Sequence, residues 1–230
     1  MTAKRNFCFF MALTCMFVLA GCNSDSLPWQ KGDTAAVDDI EPIPIEQKQA
    51  DLQKRIDKKF KDAQAHFELG QVYQSQGMWP QAEREYNYAL NYDPVHREAQ
   101  AGRVKVLMLM NNDDQARTST EHYVNQASTS AAGSLKLAMA FQQQGLDELA
   151  MRCYRQALNL APSSAKIHRQ IGFYYLAKDD KDMAKEYLTR SFQLNPYQED
   201  VGLALGRLGV VVKVPQKTES GKKMDQMLEQ

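Results

Sequence analysis

Apolar and polar residues alternate along most of this chain with the period of an α-helix. Leu52, Ile56 and Phe60 recur at every fourth position with charged residues between them, which predicts one amphipathic helix. From residue 63 onward the pattern also repeats at long range. The same position of this repeat is alanine at intervals of 34 residues, at Ala82, Ala116, Ala150 and Ala184. A short polar break recurs within each interval, so the sequence predicts four helix pairs stacked in a row.

The four predicted units cover residues 63–96, 97–130, 131–164 and 165–198. Small side chains at places 8 and 20 of a unit would let its two helices approach closely, and large ones at places 7, 11 and 24 would fill the space between units. Proline at place 32 ends the second helix, because proline cannot continue the helical hydrogen bonding. The second unit departs from this pattern and is assigned from the phase of its neighbours. Its unusual residues at places 7, 24, 27 and 32 are Arg103, Thr120, Tyr123 and Ser128.

This spacing resembles the tetratricopeptide repeat (TPR). The matching residues of the first unit are Leu69, Gly70, Tyr73, Ala82, Tyr86, Ala89 and Pro94. The resemblance implies an all-α fold, a tetratricopeptide-repeat superhelix (α-solenoid). It also implies that the first helix of each unit lines a concave groove through places 2, 5, 9, 12 and 13.

Carried onto this chain, these places predict a groove that binds a protein partner. The predicted groove residues are Phe67, Gln71, Gln74, Lys105, Met108, Leu135, Met139, Gln142, Arg169, Phe173, Leu176 and, from a partial fifth unit, Arg207; place 13 adds Ser75, Leu109, Gln143 and Ala177. Apolar side chains beside glutamines favour an amphipathic helix or an extended segment as the bound element. The alternative is that several of these side chains are buried between helices or covered by residues 46–60.

The N-terminus has the layout of a secretion signal. Lys4 and Arg5 precede an apolar run that ends at Ala20, and this run is too short to span a bilayer comfortably. Residues 19–22, Leu-Ala-Gly-Cys, resemble the lipobox of bacterial lipoproteins. That resemblance implies cleavage after Gly21 and lipid attachment to Cys22, which would anchor the protein stably through several acyl chains. An ordinary signal peptide or an uncleaved anchor is the alternative interpretation.

The predicted organisation has six parts. They are a lipoprotein signal peptide (1–21), a lipidated flexible tether (22–45), an N-terminal packing helix (46–62), the TPR units (63–198), a C-terminal capping helix (199–214) and a polar tail (215–230). Within 199–214, residues 210–214 read as an apolar, strand-like end. Asn23 stands where an inner-membrane retention signal of the enteric type would have aspartate. We therefore expect a location on the periplasmic face of the outer membrane.

Composition and single residues give little support to catalysis or to cofactor binding. The chain has 28 basic and 28 acidic residues, so it lacks the basic field expected of a nucleic-acid binder. His66 and His168 occupy the same place in two units, which favours a packing role. No histidine pair or Cys-x-x-Cys spacing predicts a metal site, and we predict no cofactor. Cys153, the one cysteine after Cys22, reads as a small packing residue.

The order of lipobox, tether, TPR array and short apolar end resembles bacterial envelope lipoproteins, above all the TadD family of tight-adherence (Flp-type) pilus systems and the pilotin-like TPR lipoproteins of type IV pili. The resemblance implies a scaffold that helps a secretin channel reach or assemble in the outer membrane. An adaptor for cell-wall hydrolases or for outer-membrane protein assembly is the alternative. A TPR-containing enzyme is a third possibility, and the sequence offers no catalytic constellation for it.

Overall fold

The computed structural model describes residues 44–213 and 215, which belong to one compact unit, Ile43–Gln230. These residues form ten α-helices and no strand. In chain order the helices are α1 (Ile45–Lys58), α2 (Ala63–Ser75), α3 (Trp79–Tyr92), α4 (Arg97–Leu109), α5 (Asp113–Ala127), α6 (Ala131–Gln143), α7 (Asp147–Leu160), α8 (Ala165–Ala177), α9 (Lys181–Leu194) and α10 (Glu199–Arg207). The predicted signal peptide, lipidation site, nearly all of the tether and residues 216–230 of the tail lie outside the described residues.

Each turn between the two helices of a unit is made in the same way. The residue at place 15 has a left-handed backbone in all four units, with φ of +73° at Gly77, +56° at Asn111, +68° at Gly145 and +57° at Asp179. Glycine adopts this conformation without strain, and asparagine or aspartate tolerate it better than other side chains do. The polar breaks in the sequence therefore end the first helix as predicted. In the fourth unit the second helix also begins at a capping side chain, because the Asp180 carboxylate accepts a hydrogen bond from the Met183 amide.

Glycine and a large side chain bring paired helices together. A Cβ added at Gly70 would lie 2.6 Å from the Tyr86 ring, and one at Gly102 would lie 2.7 Å from the same ring. Tyr86 is therefore held between the first helices of two successive units. In the fourth unit, a Cβ at Gly172 would lie 2.6 Å from Leu188. These close approaches leave Tyr86 and Leu188 fully buried.

The second unit is built differently from the others. Helices α4 and α5 pack together less extensively than the paired helices of the other units, and α4 also packs closely on α3 and contacts α6. The small side chains of α4, Ala99, Ala101 and Gly102, provide this close packing and are buried. Place 7, leucine in the first unit, holds Arg103, whose Nη1 donates to the Ser119 hydroxyl (2.9 Å) and to the Tyr123 hydroxyl (3.0 Å). The second unit thus departs from the repeat pattern because hydrogen-bonded polar side chains meet between α4 and α5. We call this contact the polar seam.

Single helices flank the paired helices at both ends. Helix α1 packs on α2 through the buried residues Leu52 and Ile56. At the other end, α10 packs on α9 and is shorter than the predicted capping helix 199–214, because Gly209 turns the backbone to a φ of +77°. The amide of Val210 donates to the carbonyl of Leu205 (2.9 Å), which closes the helix end. No helix among the described residues is long and apolar enough to cross a bilayer.

A candidate protein-binding cleft

The first helices of three successive units meet around a cleft of about 420 Å³. Its walls come from α2, α4 and the end of α6, with one side chain from α3. The lining residues are Gln71, Gln74, Ser75, Trp79, Lys105, Leu109, Gln143 and Gln144. Half of them are glutamines, whose amides both donate and accept hydrogen bonds. The cleft can therefore pair with the alternating donors and acceptors of a polypeptide backbone.

Gln74 is held in place from two sides. Its Oε1 accepts a hydrogen bond from the Tyr86 hydroxyl (2.6 Å), and its Nε2 donates to Oε1 of Gln144 (2.8 Å). The first contact is within one unit, whereas the second joins units one and three. Both polar atoms of the Gln74 amide are therefore already hydrogen-bonded within the protein. A bound partner would pair with the neighbouring side chains instead.

The third unit repeats the first of these contacts. The Tyr154 hydroxyl donates to Oε1 of Gln142 (2.5 Å), so tyrosine at place 24 bonds glutamine at place 12 in both units. Burial of the two tyrosine rings raises the pKa of Tyr86 and of Tyr154 above the ordinary value. Both hydroxyls therefore stay neutral and remain donors at physiological pH.

Three polar side chains in the cleft remain available to a ligand. Gln71, Lys105 and Gln143 make no side-chain hydrogen bond or ion pair with any described residue, and all three line the cleft. Gln71 and Gln143 are exposed, while Lys105 is partly buried in the wall. A cationic group with amides beside it favours a carbonyl oxygen or a carboxylate. Trp79 and Leu109 add apolar surface to the same cleft.

Two predicted groove residues are buried instead of facing a groove. Phe67 is 7 % exposed, and its ring lies against Tyr86 (6.1 Å between centroids) and His96 (4.7 Å). Leu135 is 4 % exposed and belongs to the core that joins the second, third and fourth units. The place-5 side chains of the first and third units therefore pack between successive units instead of facing a groove. This is the alternative that the sequence left open for these positions.

The fourth-unit residues belong to a separate region. Phe173 and Leu176 pack against the hydrophobic cluster of α10, and the Arg169 guanidinium lies over the Phe173 ring at 5.4 Å. Arg169 also pairs with Asp200 through Nε (2.6 Å). Arg207 is exposed at the end of α10. The structure does not bring these residues into the cleft with Gln71 and Lys105.

Two further predicted residues line neither the cleft nor the cluster around α10. Met108 is 38 % exposed on α4, and Met139 is partly buried against the central core. Sequence reasoning missed Trp79 and Gln144, which lie at or beside turns, at places 17 and 14. The run of three glutamines at 142–144 was a signal for Gln144. Nothing in the repeat pattern identifies Trp79.

The other candidate chemical groups have structural partners. His66 Nδ1 lies 2.8 Å from Glu85 Oε2, and its Nε2 donates to the Phe60 carbonyl (2.9 Å). The Cys153 thiol is fully buried, and burial raises its pKa to about 11. No group of three or more potential metal ligands occurs among residues 44–213. These observations assign packing roles to His66 and Cys153.

Comparison with known proteins identifies the repeats. Residues 63–94, 133–164 and 165–198 match tetratricopeptide repeat families. Together with the paired helices, these matches confirm the predicted TPR superhelix.

Solved structures similar to this chain include three bacterial proteins. They are MamA residues 41-end from Desulfovibrio magneticus RS-1 (22% identity, covering 67% of this chain and 88% of that one, TM-score 0.37), PilF of Pseudomonas aeruginosa (25%, 65% and 69%, 0.37) and a thermophilic TPR protein, TTC0263, of Thermus thermophilus (12%, 73% and 91%, 0.40). No curated protein matches this chain significantly in sequence.

Proposed function

We propose that this protein is an envelope-tethered scaffold that binds an extended segment of another polypeptide in the cleft between α2, α4 and α6. Tetratricopeptide repeats are in general non-catalytic protein-binding scaffolds, and three of the four units match their families. The single observation that carries the proposal is the set of unpaired polar side chains, Gln71, Lys105 and Gln143, around one cleft.

The chemistry of the cleft favours an extended segment over a bound helix. A helix satisfies its own backbone groups, whereas an extended chain presents free N–H and C=O groups. Gln71 and Gln143 offer matching donors and acceptors, and Lys105 offers a positive charge. Trp79 and Leu109 would receive an apolar side chain of the same segment.

Photo-crosslinking in the native cell tests this assignment. A benzophenone amino acid at Gln71 or Gln143 should capture the partner, and mass spectrometry would identify the crosslinked segment. A matched control places the same residue at Asn159, which is exposed on α7 and does not line the cleft. Equal capture from Asn159 and from both cleft positions would reject the cleft as the binding site.

Two charge-reversing substitutions test whether the positive charge of Lys105 contributes to partner binding. Lys105→Glu reverses the one charge in the cleft and should weaken partner capture by roughly tenfold or more, while the exposed control Lys136→Glu on α6 should not change it. Both variants should keep the helical circular dichroism of the parent protein. Retained capture by Lys105→Glu would reject the role of this charge.

We further propose that lipid on Cys22 tethers the scaffold to the periplasmic face of the outer membrane. The support is the sequence around Gly21 and Cys22 and the residue that follows, Asn23. Cys22→Ser should abolish incorporation of radiolabelled palmitate and move the protein from the membrane fraction to the soluble fraction. Palmitate labelling that survives this substitution would exclude Cys22 as the acylated residue.

Within this role, we propose assembly of a pilus or secretion system as the pathway, with a secretin or another pilus component as the partner. The support is the order of lipobox, tether, TPR units and apolar end, which resembles the TadD family of tight-adherence pilus lipoproteins. The alternative is an adaptor for cell-wall hydrolases or for outer-membrane protein assembly. The identity of the crosslinked partner separates the two pathways, because a secretin supports the first and a hydrolase or a β-barrel assembly component supports the second.

A further inference from the structure

An exposed aromatic residue surrounded by lysines projects from the turn between α1 and α2. Phe60 is 56 % exposed, although it follows a helix whose other apolar residues, Leu52 and Ile56, are buried. It lies among Lys58, Lys59 and Lys61, all of which are exposed. Water contact with more than half of a phenylalanine is unfavourable, and this turn has no described element packed over it.

Two tyrosines of α3 extend the apolar surface beneath Phe60. The Phe60 ring centroid lies 5.9 Å from that of Tyr88 and 6.0 Å from that of Tyr92, both in edge-to-face geometry. Both tyrosines are partly exposed. We call the set Lys58, Lys59, Phe60, Lys61, Tyr88 and Tyr92 the basic aromatic patch.

The turn is fixed in this position. His66 Nε2 donates a hydrogen bond to the Phe60 carbonyl oxygen (2.9 Å), and the His66 ring also contacts the Phe60 ring (5.6 Å). His66 is itself buried and bonded to Glu85 (2.8 Å). Phe60 is therefore held on the surface by buried partners, so its exposure is built into the fold.

The patch has an excess of positive charge. None of its three lysines forms an ion pair with a described residue. Both carboxylate oxygens of the nearby Asp62 accept hydrogen bonds from Arg55 (3.1 and 3.3 Å). The same guanidinium also donates from Nη1 to Glu68 (3.1 Å), so Arg55 is shared by two carboxylates. Asp57 contributes one negative charge beside the lysines and accepts a hydrogen bond from Gln53 (3.1 Å). The three lysines and Arg55 thus outnumber the three acidic groups Asp57, Asp62 and Glu68 by one positive charge.

We propose that the basic aromatic patch docks on the surface of an anionic phospholipid bilayer. Phosphate groups of the lipids would pair with Lys58, Lys59 and Lys61, and Phe60 would enter the boundary between headgroups and acyl chains. Tyrosines suit the same interface, because one end of the side chain is apolar and the other can remain hydrated. The exposed Phe60 ring, with lysines on both sides of it in the chain, favours a membrane over a peptide as the ligand of the patch. It shares no residue with the cleft, so the inference is independent of the proposed protein-binding function.

Vesicle sedimentation provides the test. Residues 43–230 form a compact unit with its own hydrophobic cores and can be used without the apolar N-terminus. The probes are vesicles of phosphatidylcholine alone and vesicles that also contain one quarter phosphatidylglycerol. We expect binding only to the anionic vesicles, and a decrease of roughly tenfold or more when sodium chloride is raised from about 0.1 to 0.5 M, because salt screens the attraction.

Matched substitutions separate the patch from general surface effects. Phe60→Ser should lower the partition coefficient by roughly tenfold or more, whereas Leu160→Ser, at a residue 50 % exposed on α7, should leave it unchanged. Replacing Lys58, Lys59 and Lys61 by glutamine should lower it by roughly 100-fold. Glutamine at Lys136, Lys166 and Lys213, all exposed, gives a control protein of the same net charge that should bind as the parent does. Thermal melts of the four variants establish that each is folded.

A fluorescent label reports the orientation. Cys153 is the one cysteine of residues 43–230 and is fully buried, so a Lys61→Cys variant can be labelled selectively with an environment-sensitive dye. Anionic vesicles should shift its emission to shorter wavelength, and the same label at Lys136→Cys should not respond.

Three results would overturn the proposal: equal binding to both kinds of vesicle, equal loss of binding in the two triple-glutamine proteins, or an unresponsive label at position 61. The last result combined with crosslinking of position 61 to a protein in cells would assign the patch to a protein partner instead.

Discussion

The amide of Gln74 donates from Nε2 to Oε1 of Gln144 at 2.8 Å, although 70 positions separate the two residues in the chain. They lie in the first and third units, so the second unit does not keep its neighbours apart on this side. Helix α4 contacts α6 almost as extensively as it contacts its own partner helix α5, and this arrangement accompanies the approach of Gln74 to Gln144. The contact sets the width of the proposed binding cleft.

The bond network around Gln74 predicts unequal effects of two substitutions. Gln144→Ala removes one partly exposed hydrogen bond and should lower the free energy of unfolding by about 0.5–1 kcal/mol. Gln74→Ala also leaves the Tyr86 hydroxyl without its acceptor in a buried site, so we expect a loss of about 1–3 kcal/mol. Urea denaturation measures both values.

Two controls accompany this pair. Gln143→Ala lines the same cleft but loses no described hydrogen bond, and its stability should stay within about 0.5 kcal/mol of the parent value. Adding Tyr86→Phe to Gln74→Ala removes the orphaned hydroxyl and should recover part of the loss. A Gln74→Ala protein that is no less stable than Gln144→Ala would contradict this account of the network.

The glycines that contact Tyr86 should not tolerate a methyl group. A Cβ at Gly70 or Gly102 would lie within 2.7 Å of a ring that is itself fully buried, and overpacking of this kind costs about 1–3 kcal/mol. Gly206→Ala provides the contrast, because a Cβ there meets nothing within 4 Å and alanine favours a helix over glycine by about 1 kcal/mol. Thermal melts should therefore move in opposite directions for the two kinds of site. A stabilised Gly70→Ala protein would mean that Tyr86 can move aside.

Most of the repeat architecture could be predicted from the sequence, but few of the contacts that form the cleft could be. Gly70 and Tyr86 could be assigned because the packing of two adjacent helices depends on residue size at fixed places. The approach of Gln74 to Gln144 depends on how successive units are rotated, which the repeat pattern does not specify. Place 5 lies between the groove and the contact between successive units, so the pattern could not determine that Phe67 is buried.

Alkaline pH should destabilise the fold through the fully buried tyrosines Tyr86 and Tyr154. Burial raises the pKa of Tyr86 and Tyr154 in the folded state, whereas tyrosine in the unfolded chain ionises near pH 10. The stability that depends on these neutral hydroxyls is therefore complete below about pH 10. It falls as the pH rises from there toward the higher pKa of the folded state, since the unfolded state releases its protons first.

Urea denaturation between pH 8 and pH 11.5 measures this dependence. The double variant Tyr86→Phe and Tyr154→Phe should show a flatter decline with pH than the parent, despite lower stability at pH 8. The control is Tyr197→Phe, at a residue 55 % exposed, which should decline as the parent does. Identical slopes for the double variant and the parent would assign the alkaline effect to other groups.

Helix α5 should be the least protected of the paired helices. It packs loosely on α4, and the seam between them contains Arg103, whose Nε is buried without a hydrogen-bond partner among the described residues. Ser119 and Tyr123 satisfy the Nη1 end of the same guanidinium. Hydrogen exchange followed by mass spectrometry should therefore find faster exchange in 113–127 than in α3 and α7, which serve as internal controls, because amides with fewer buried contacts open at lower free energy. Protection of α5 equal to that of α7 would show that the polar seam holds the second unit as firmly as an apolar one.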